Sequence, residues 1–227
     1  MSDRAARETC LVLMLKAPAR SKRRLAAEIG RSAAAEAAAK LAACALEDLA
    51  SWPGPTCVAP AAAADLDWLA ERSAAEHTVV LQSRGNLGVR INRLNRTLHA
   101  RGLTRQIFIG IDCPEIDCAY LRRAAALLGE RDAVLGPADD GGVVLMGARR
   151  PWPPLRNLEW STPRLGAQLR AACEAAGFGV AALDPRADID TFTDLIGLGA
   201  RLGTDRRPAR EALAAWLASL AATRDGR

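Results

Sequence analysis

Several short stretches of this chain put carboxylates, cations or bare backbone where apolar runs end. In "IDCPE", Asp112 follows an apolar run and Pro114 turns the chain away. A carboxylate there is costly if buried without a partner, so it calls for a cation or hydrogen-bond donors. In "RADIDTFTDL", Asp188 and Asp190 flank Ile189 just before a helix expected near Thr191. Helix capping is the ordinary reading of such residues. The sharper one is that Asp112 and Asp190, both at carboxyl ends of strands, share a hard divalent cation such as Mg²⁺ or Mn²⁺ with a phosphate. "GPADDGGVVLMG" sets Asp139 and Asp140 against Gly141 and Gly142. It reads either as a turn or as a place where a ligand lies on bare backbone while a carboxylate holds it. "KAPARSKRRLA" gathers Lys16, Arg20, Lys22, Arg23 and Arg24 in one expected loop. That is either a solvated basic turn or a phosphate clamp, and it lacks the glycines of a P-loop. In "RGNLGVR", Gly85 and Gly88 would let backbone approach a ligand, and Arg90 opens the next helix; an ordinary glycine loop is the alternative.

These residues can act together only if the elements between them bring strand ends to one rim. Apolar runs predict strands at 10–15, 56–59, 77–82, 106–111, 132–137, 142–147 and 179–183. Helical periodicity or propensity covers 31–50, 65–72, 89–102 and 119–130. A further helix is expected from a cap at Ser161 or Thr162 to Gly177, and two more close the chain, the last starting near Pro208. Strand and helix alternate, which predicts an α/β fold with a mostly parallel sheet flanked by helices. The strands on either side of "DDGG" are joined too tightly for a parallel crossover and should be antiparallel. In such sheets ligands bind outside the carboxyl ends of the strands. One domain over 1–227 is expected, with a core at about 10–203 and a C-terminal helix at 208–222.

Composition narrows the chemistry. Of 227 residues, 50% are hydrophobic, enough for one full α/β core. The chain shows no apolar run of about 18 residues and no signal-peptide layout, so a soluble cytoplasmic protein without membrane contact is expected. Six cysteines are scattered, and Cys113 and Cys118 do not have a usual zinc spacing. They read as reduced, mostly core thiols. With two histidines far apart, a zinc site or a histidine-based triad has little material. The net charge of +5 is mild, and 3 Phe with 1 Tyr give little for base stacking, so nucleic acid is disfavoured as a partner.

In this order the stretches resemble one family, the bacterial glycosyltransferase-A-type proteins of arsenosugar biosynthesis or radical-SAM association, within the nucleotide-diphospho-sugar transferase superfamily. The resemblance spans roughly Leu11 to Leu195. The family's opening "KAP" is Lys16-Ala17-Pro18, and its "KTRL" is Lys22-Arg23-Arg24-Leu25. Its "GDLGERM" is similar to the stretch Gly85 to Ile91, its "GSDCP" to Gly110 to Pro114, and its "GPAEDGGYYLIG" to Gly136 to Gly147. Its "WSTP" is Trp160 to Pro163, and its "DxDT" is Asp188 to Thr191. Departures are a loop about two residues shorter after Lys16, Asn86 for an acid, Val89 for a glutamate, Ile111 for a small polar residue, and Val143 and Val144 for two tyrosines.

The resemblance implies a single-domain nucleotide-diphospho-sugar transferase fold and transfer of a sugar from a nucleotide sugar to a small-molecule acceptor. It implies nucleotide contacts at Lys16, Pro18, Lys22, Arg24, Gly85, Gly88 and Arg90. Substrate contacts would come from Asp139, Gly141, Gly142 and Trp160. Asp112 and Asp140 would be catalytic, with Asp112 and Asp190 on a divalent cation, Mg²⁺ or Mn²⁺. Two alternatives stand beside it: a nucleotidyltransferase joining a nucleoside triphosphate to a phosphorylated small molecule, and a catalytically degenerate nucleotide-binding protein. A homodimer is left open.

Overall fold

A computed structural model describes residues 2–73 and 76–225. The apolar run after Glu8 forms β1 (Thr9–Leu15), an interior strand of a seven-stranded sheet. Its alternate side chains feed two cores. Leu11, Leu13 and Leu15 enter one, Cys10 and Val12 the other, as the period of a strand requires. Around it lie β2 (Thr56–Pro60), β3 (Thr78–Val79), β4 (Arg105–Ile109), β5 (Ala133–Pro137), β6 (Val143–Ala148) and β7 (Val180–Ala182), in the order β3-β2-β1-β4-β6-β5-β7. β6 runs antiparallel to both β4 and β5, and the other pairings are parallel. Six strands therefore end on the same rim. The "DDGG" connection leaves β5 there and enters β6 there.

The helices are α1 (Ser2–Arg7), α2 (Arg23–Ile29), α3 (Arg31–Ser51), α4 (Leu66–Ala70), α5 (Leu87–Ala100), α6 (Cys118–Leu127), α7 (Leu165–Ala175), α8 (Phe192–Arg201) and α9 (Pro208–Asp225). α2, α3, α8 and α9 share a third apolar cluster built on Leu25, Leu41, Leu195, Leu198 and Leu213.

Four features depart from the sequence expectation. The polar start forms α1. The cation-rich stretch is not one loop, since Arg23 and Arg24 begin α2 and Gly30 at φ +84° breaks the chain before α3. The strand at 77–82 shrinks to two residues at the sheet edge, though the amides of Val80 and Gln82 still bond to Val58 and Pro60. Neither Ser161 nor Thr162 caps α7. Ser161 sits at φ +64°, the Thr162 hydroxyl donates to Glu159 O at 2.8 Å, and the helix starts at Leu165.

A buried charge network ties α9 to α3 and to the chain after Asp112. Arg210, fully buried, donates to Asp48 Oδ2 at 2.7 Å, Glu47 Oε2 at 2.9 Å, Pro114 O at 3.1 Å and Ile116 O at 3.1 Å. Arg207 donates to the other oxygen of Asp48 at 2.8 Å, to Ile116 O at 2.9 Å and to Asp205 at 2.6 Å.

Candidate functional site

The rim holds most of the sequence candidates because they follow the ends of the parallel strands. Lys16 is exposed just after β1. Pro18 is buried at the start of a 3-10 turn, Pro18–Arg20. This turn is fastened by Asp65, whose fully buried carboxylate accepts from the amides of Ala17 at 3.1 Å and Ala62 at 3.0 Å and from Arg20. Arg20 is thereby committed to the fold and leaves the expected phosphate clamp.

Lys22 follows in the left-handed region at φ +51°, a conformation that costs a non-glycine residue roughly 1–2 kcal/mol. It aims the ammonium inward. The Lys22 side chain is 3% exposed, and its Nζ lies 2.6 Å from Asp112 Oδ1 and 3.6 Å from Asp190 Oδ1. It also donates to the carbonyl of Ile189. Arg24 reaches Asp190 Oδ2 at 3.2 Å. Asp112 and Asp190, 47% and 43% exposed, thus meet across the rim although they are far apart in sequence. The amide of Ile189 bonds to Asp112 O at 2.9 Å and locks the two segments together. Asp190 is not the helix cap. Thr191 takes that role, with Asp194 completing a capping box.

Asp188 is the group that residue-by-residue reading undervalued. Its Oδ1 is buried without a hydrogen-bond partner. Burial first, then the carboxylates of Asp112, Asp190 and Asp140, push its pKa up to about 7, against the pull of Lys22. The "DID" spacing was the available signal: residues two apart in an extended segment point to the same side.

"DDGG" is both a turn and part of the rim. Asp140 Oδ1 accepts from the amide of Gly142 at 2.8 Å. Gly141 has φ +88°, and a side chain there would strike the carbonyl of Pro163. A Cβ on Gly142 would come within 3.0 Å of Asp140 Oδ1. Asp139 and Asp140 are both exposed.

Comparison with known proteins places the chain. The profile of the family described as "Uncharacterized protein conserved in bacteria (DUF2064)" matches residues 41–162. The chain belongs to the DUF2064 family. Among solved structures it is similar to a protein from Desulfovibrio desulfuricans G20, provisionally named a nucleotide-diphospho-sugar transferase, with TM-score 0.82 and 23% identity over 92% of this chain and 98% of that one. It is similar more distantly to CMP:2-keto-3-deoxy-manno-octonic acid synthetase complexed with CTP, with TM-score 0.51 and 12% identity over 87% of this chain and 99% of the other. A homologue of Rv0371c from Mycobacterium sp. strain JC1 matches with TM-score 0.51 and 15% identity, over 86% of this chain and 97% of that one. These likenesses establish the nucleotide-diphospho-sugar transferase fold. No curated protein matches the chain.

Within this DUF2064 chain the candidates divide. Lys22, Arg24, Asp112 and Asp190, with Asp188, converge. Asp140 is close enough for its charge to act on Asp188. Gly88 and Trp160 have packing roles in the fold. A Cβ on Gly88, inside α5, would strike the carbonyl of Leu155 and come 2.8 Å from Trp160 Nε1, while Trp160 donates to Leu155 O at 3.1 Å. Gly88 is a packing glycine, and Trp160 staples the segment before α7 onto α5. Gly85, at φ +121°, keeps an exposed loop, and Arg90 closes it by donating to Gly85 O at 2.9 Å.

The oxygen-only donor set of Asp112, Asp188 and Asp190 has the chemistry of a hard divalent ion, and the orphaned Asp188 oxygen is an unmet demand for a cation or proton. The set is incomplete. Among the described residues no three histidine, cysteine or carboxylate side chains stand together as a metal-binding group. The charges of Asp112 and Asp190 act on Asp188, but the three carboxylates do not converge on one point. No helix among the described residues is long and apolar enough to cross a membrane.

Proposed function

We propose that this chain is a transferase that binds a nucleotide sugar at the carboxyl rim of the sheet and passes the sugar to a small-molecule acceptor. The observation that carries the reading is Lys22: a buried ammonium, held by a strained backbone, facing Asp112 and Asp190 where six strands end. Strain of this kind persists only where the surrounding structure imposes it, and it collects at functional positions. The D. desulfuricans protein of the same fold carries a matching provisional name.

Lys22 and Arg24 offer fixed cations to a diphosphate, and exposed Lys16 lies at the same end of β1. Asp112 and Asp190 would hold Mg²⁺ or Mn²⁺, with the ligand's phosphate oxygens filling the remaining positions; when bound, the ion supplies charge neutralisation for a diphosphate leaving group. Asp140, anchored through one oxygen to the Gly142 amide, has a second oxygen to accept from a sugar or acceptor hydroxyl. Gly142 leaves the backbone beside Asp140 free of a side chain, while Gly141 packs against the carbonyl of Pro163.

A second reading is nucleotidyl transfer, favoured by the likeness in fold to a synthetase solved with CTP. It uses the same cations and carboxylates but releases pyrophosphate. The test is a melting-temperature screen of nucleotides and nucleotide sugars, with Mn²⁺ and with chelator, followed by product analysis on whatever binds. Metal-dependent stabilisation and release of nucleoside diphosphate is the expected result. Pyrophosphate release selects the second reading, and binding without any product selects a degenerate nucleotide-binding protein. No binding to the wild type refutes the nucleotide reading itself.

A further inference from the structure

A pocket of about 480 Å³ opens beside the acidic centre, between the segment after Asp112, the segment before Asp188 and the turn from α8 to α9. Its wall carries seven charged side chains, and most are already committed. Arg201 pairs with Glu115 at 2.9 Å. Arg207 is bound to Asp205 and Asp48. Asp117 caps α6 by accepting from the amide of Tyr120 at 2.7 Å. Two are not. Arg186 lies over the ring of Tyr120 at 4.6 Å and donates to the carbonyl of Pro185, and among the described residues it meets no carboxylate. Asp139 is exposed and, among the described residues, its carboxylate has no partner.

Their backbones are nevertheless side by side. Ala138 pairs with Arg186 as the continuation of β5 and β7, the amide of Asp139 donates to Arg186 O at 3.2 Å, and the amide of Arg186 donates to Pro137 O at 3.1 Å. The Tyr120 hydroxyl donates to Asp184 O at 2.9 Å, which holds the ring under the guanidinium. The fold has fixed a cation and an anion next to each other without letting them neutralise each other. The pocket also borders the site. Asp139 lines it, while the next residue, Asp140, acts on Asp188 at the acidic centre.

We propose that this pocket binds a small molecule with an anionic group, held by Arg186, and a hydroxyl, held by Asp139. Resting on the transferase reading above, this molecule is the acceptor. A guanidinium fixed by stacking presents two parallel N–H donors to a carboxylate or phosphate at little entropic cost. A free carboxylate beside it accepts a hydroxyl, and that hydroxyl then lies on the side of the pocket nearest Asp140. The anion is a carboxylate or a phosphate, and the probes separate the two.

The experiment titrates glycerate and, separately, glycerol phosphate into the full chain, following the arginine Nε–H resonances by NMR in wild type, Arg186→Gln, Asp139→Asn and Lys22→Gln. The expected result is a saturable shift of the Arg186 resonance with one of the two probes in wild type and in Lys22→Gln. Asp139→Asn should weaken that binding, and Arg186→Gln should lose about tenfold or more, read there from the remaining resonances. Binding that survives Arg186→Gln but disappears in Lys22→Gln places the anion at the Lys22 cluster and overturns the pocket while leaving the transferase reading intact. No saturable shift with either probe also overturns it. The wild-type shift stands as the test if Arg186→Gln does not fold. A nucleotide screen that fails while the Arg186 shift is seen refutes the transferase reading and keeps the pocket.

Discussion

Two charged clusters of this molecule use the same side chains to opposite ends. Behind α9, Arg210 and Arg207 face Asp48, Glu47 and Asp205, and both oxygens of Asp48 are taken. Burial raises the Asp48 pKa to about 6, and the two arginines keep it from rising further, so it is an anion at neutral pH. At the rim, Lys22 and Arg24 face Asp112, Asp188 and Asp190, and one Asp188 oxygen has nothing to bond. There the carboxylates outnumber the cations, and nearly half of the side-chain surface of Asp112 and Asp190 is open. A closed network holds a fold together. An open one leaves charge unmet for a ligand to meet, and the folded chain tolerates this because solvent reaches Asp112 and Asp190. The following predictions separate the two kinds of cluster, starting with the largest effect.

Arg210→Met should break the closed network and leave Asp48 as a buried charge with one partner gone. The expected loss is about 3–5 kcal/mol of folding stability, read from urea denaturation. Arg210→Met combined with Asp48→Leu should recover much of it, because the uncompensated charge goes too. A single variant within about 1 kcal/mol of wild type would show that Arg210 is no different from a surface cation.

Lys22→Gln should do the reverse, with a small change in stability and a large one in binding. Removing the ammonium relieves the need for a strained inward-pointing lysine but leaves Asp112 and Asp190 to repel phosphate. Loss of a charged hydrogen bond of roughly 1.5–3 kcal/mol corresponds to about ten- to a hundredfold weaker nucleoside diphosphate binding, measured by calorimetry in Mn²⁺. Chelator should have a comparable effect on the wild type. Equal affinity in chelator and in Mn²⁺ would remove the divalent ion from the account.

The contrast also explains what the sequence made legible. The strands could be read because "CLVLML", "QIFIGI" and "GVVLMG" are unbroken apolar runs, and their alternation with helices fixes which ends share a rim. Asp112, Asp140 and Asp190 could be read because they follow the apolar runs "QIFIGI", "DAVLGP" and "GVAAL". Arg210 and Asp48 could not, since they stand 162 residues apart and each looks like a solvated helix charge until α9 packs on α3. The packing roles of Gly88 and Trp160 were hidden for a related reason. A glycine that admits a ligand and one that admits another strand of backbone look alike in sequence, and here the neighbour is Leu155. Nothing local in "KRRLAAEIG" announces α2, whose buried residue Leu25 finds its core only in α3, α8 and α9.

Asp188→Asn should stabilise the protein, and only at higher pH. Its pKa is raised from 3.8 to about 7, so the folded state holds this proton more tightly than the unfolded chain. The favourable protonated form is fully present below pH 3.8, is progressively lost as pH rises, and is gone above about 7. Asparagine carries no charge to bury. Allowing for partial solvent screening, the variant should gain about 1–2 kcal/mol at pH 8 and little at pH 4. Melting temperatures of both proteins across that range test this, without added divalent ions. A gain independent of pH would mean that the Asp188 carboxylate is not the open charge.

The smallest effect belongs to Asp140→Asn. Its Oδ1 accepts from the Gly142 amide, and an asparagine oxygen can accept the same bond, so the turn between β5 and β6 should survive. Asp140 is exposed, and its charge is one of several that act on Asp188. Stability should therefore change by no more than about 0.5 kcal/mol, the usual range for such surface positions. What the variant does remove is the negative charge on the second oxygen, the one free to hold a hydroxyl. A melting curve that matches wild type, together with a transfer rate reduced about tenfold or more, would put Asp140 with the open cluster. Unchanged transfer in a normally folded variant would return "DDGG" to a turn, and the hydroxyl would have to be held from the other side, by Asp139.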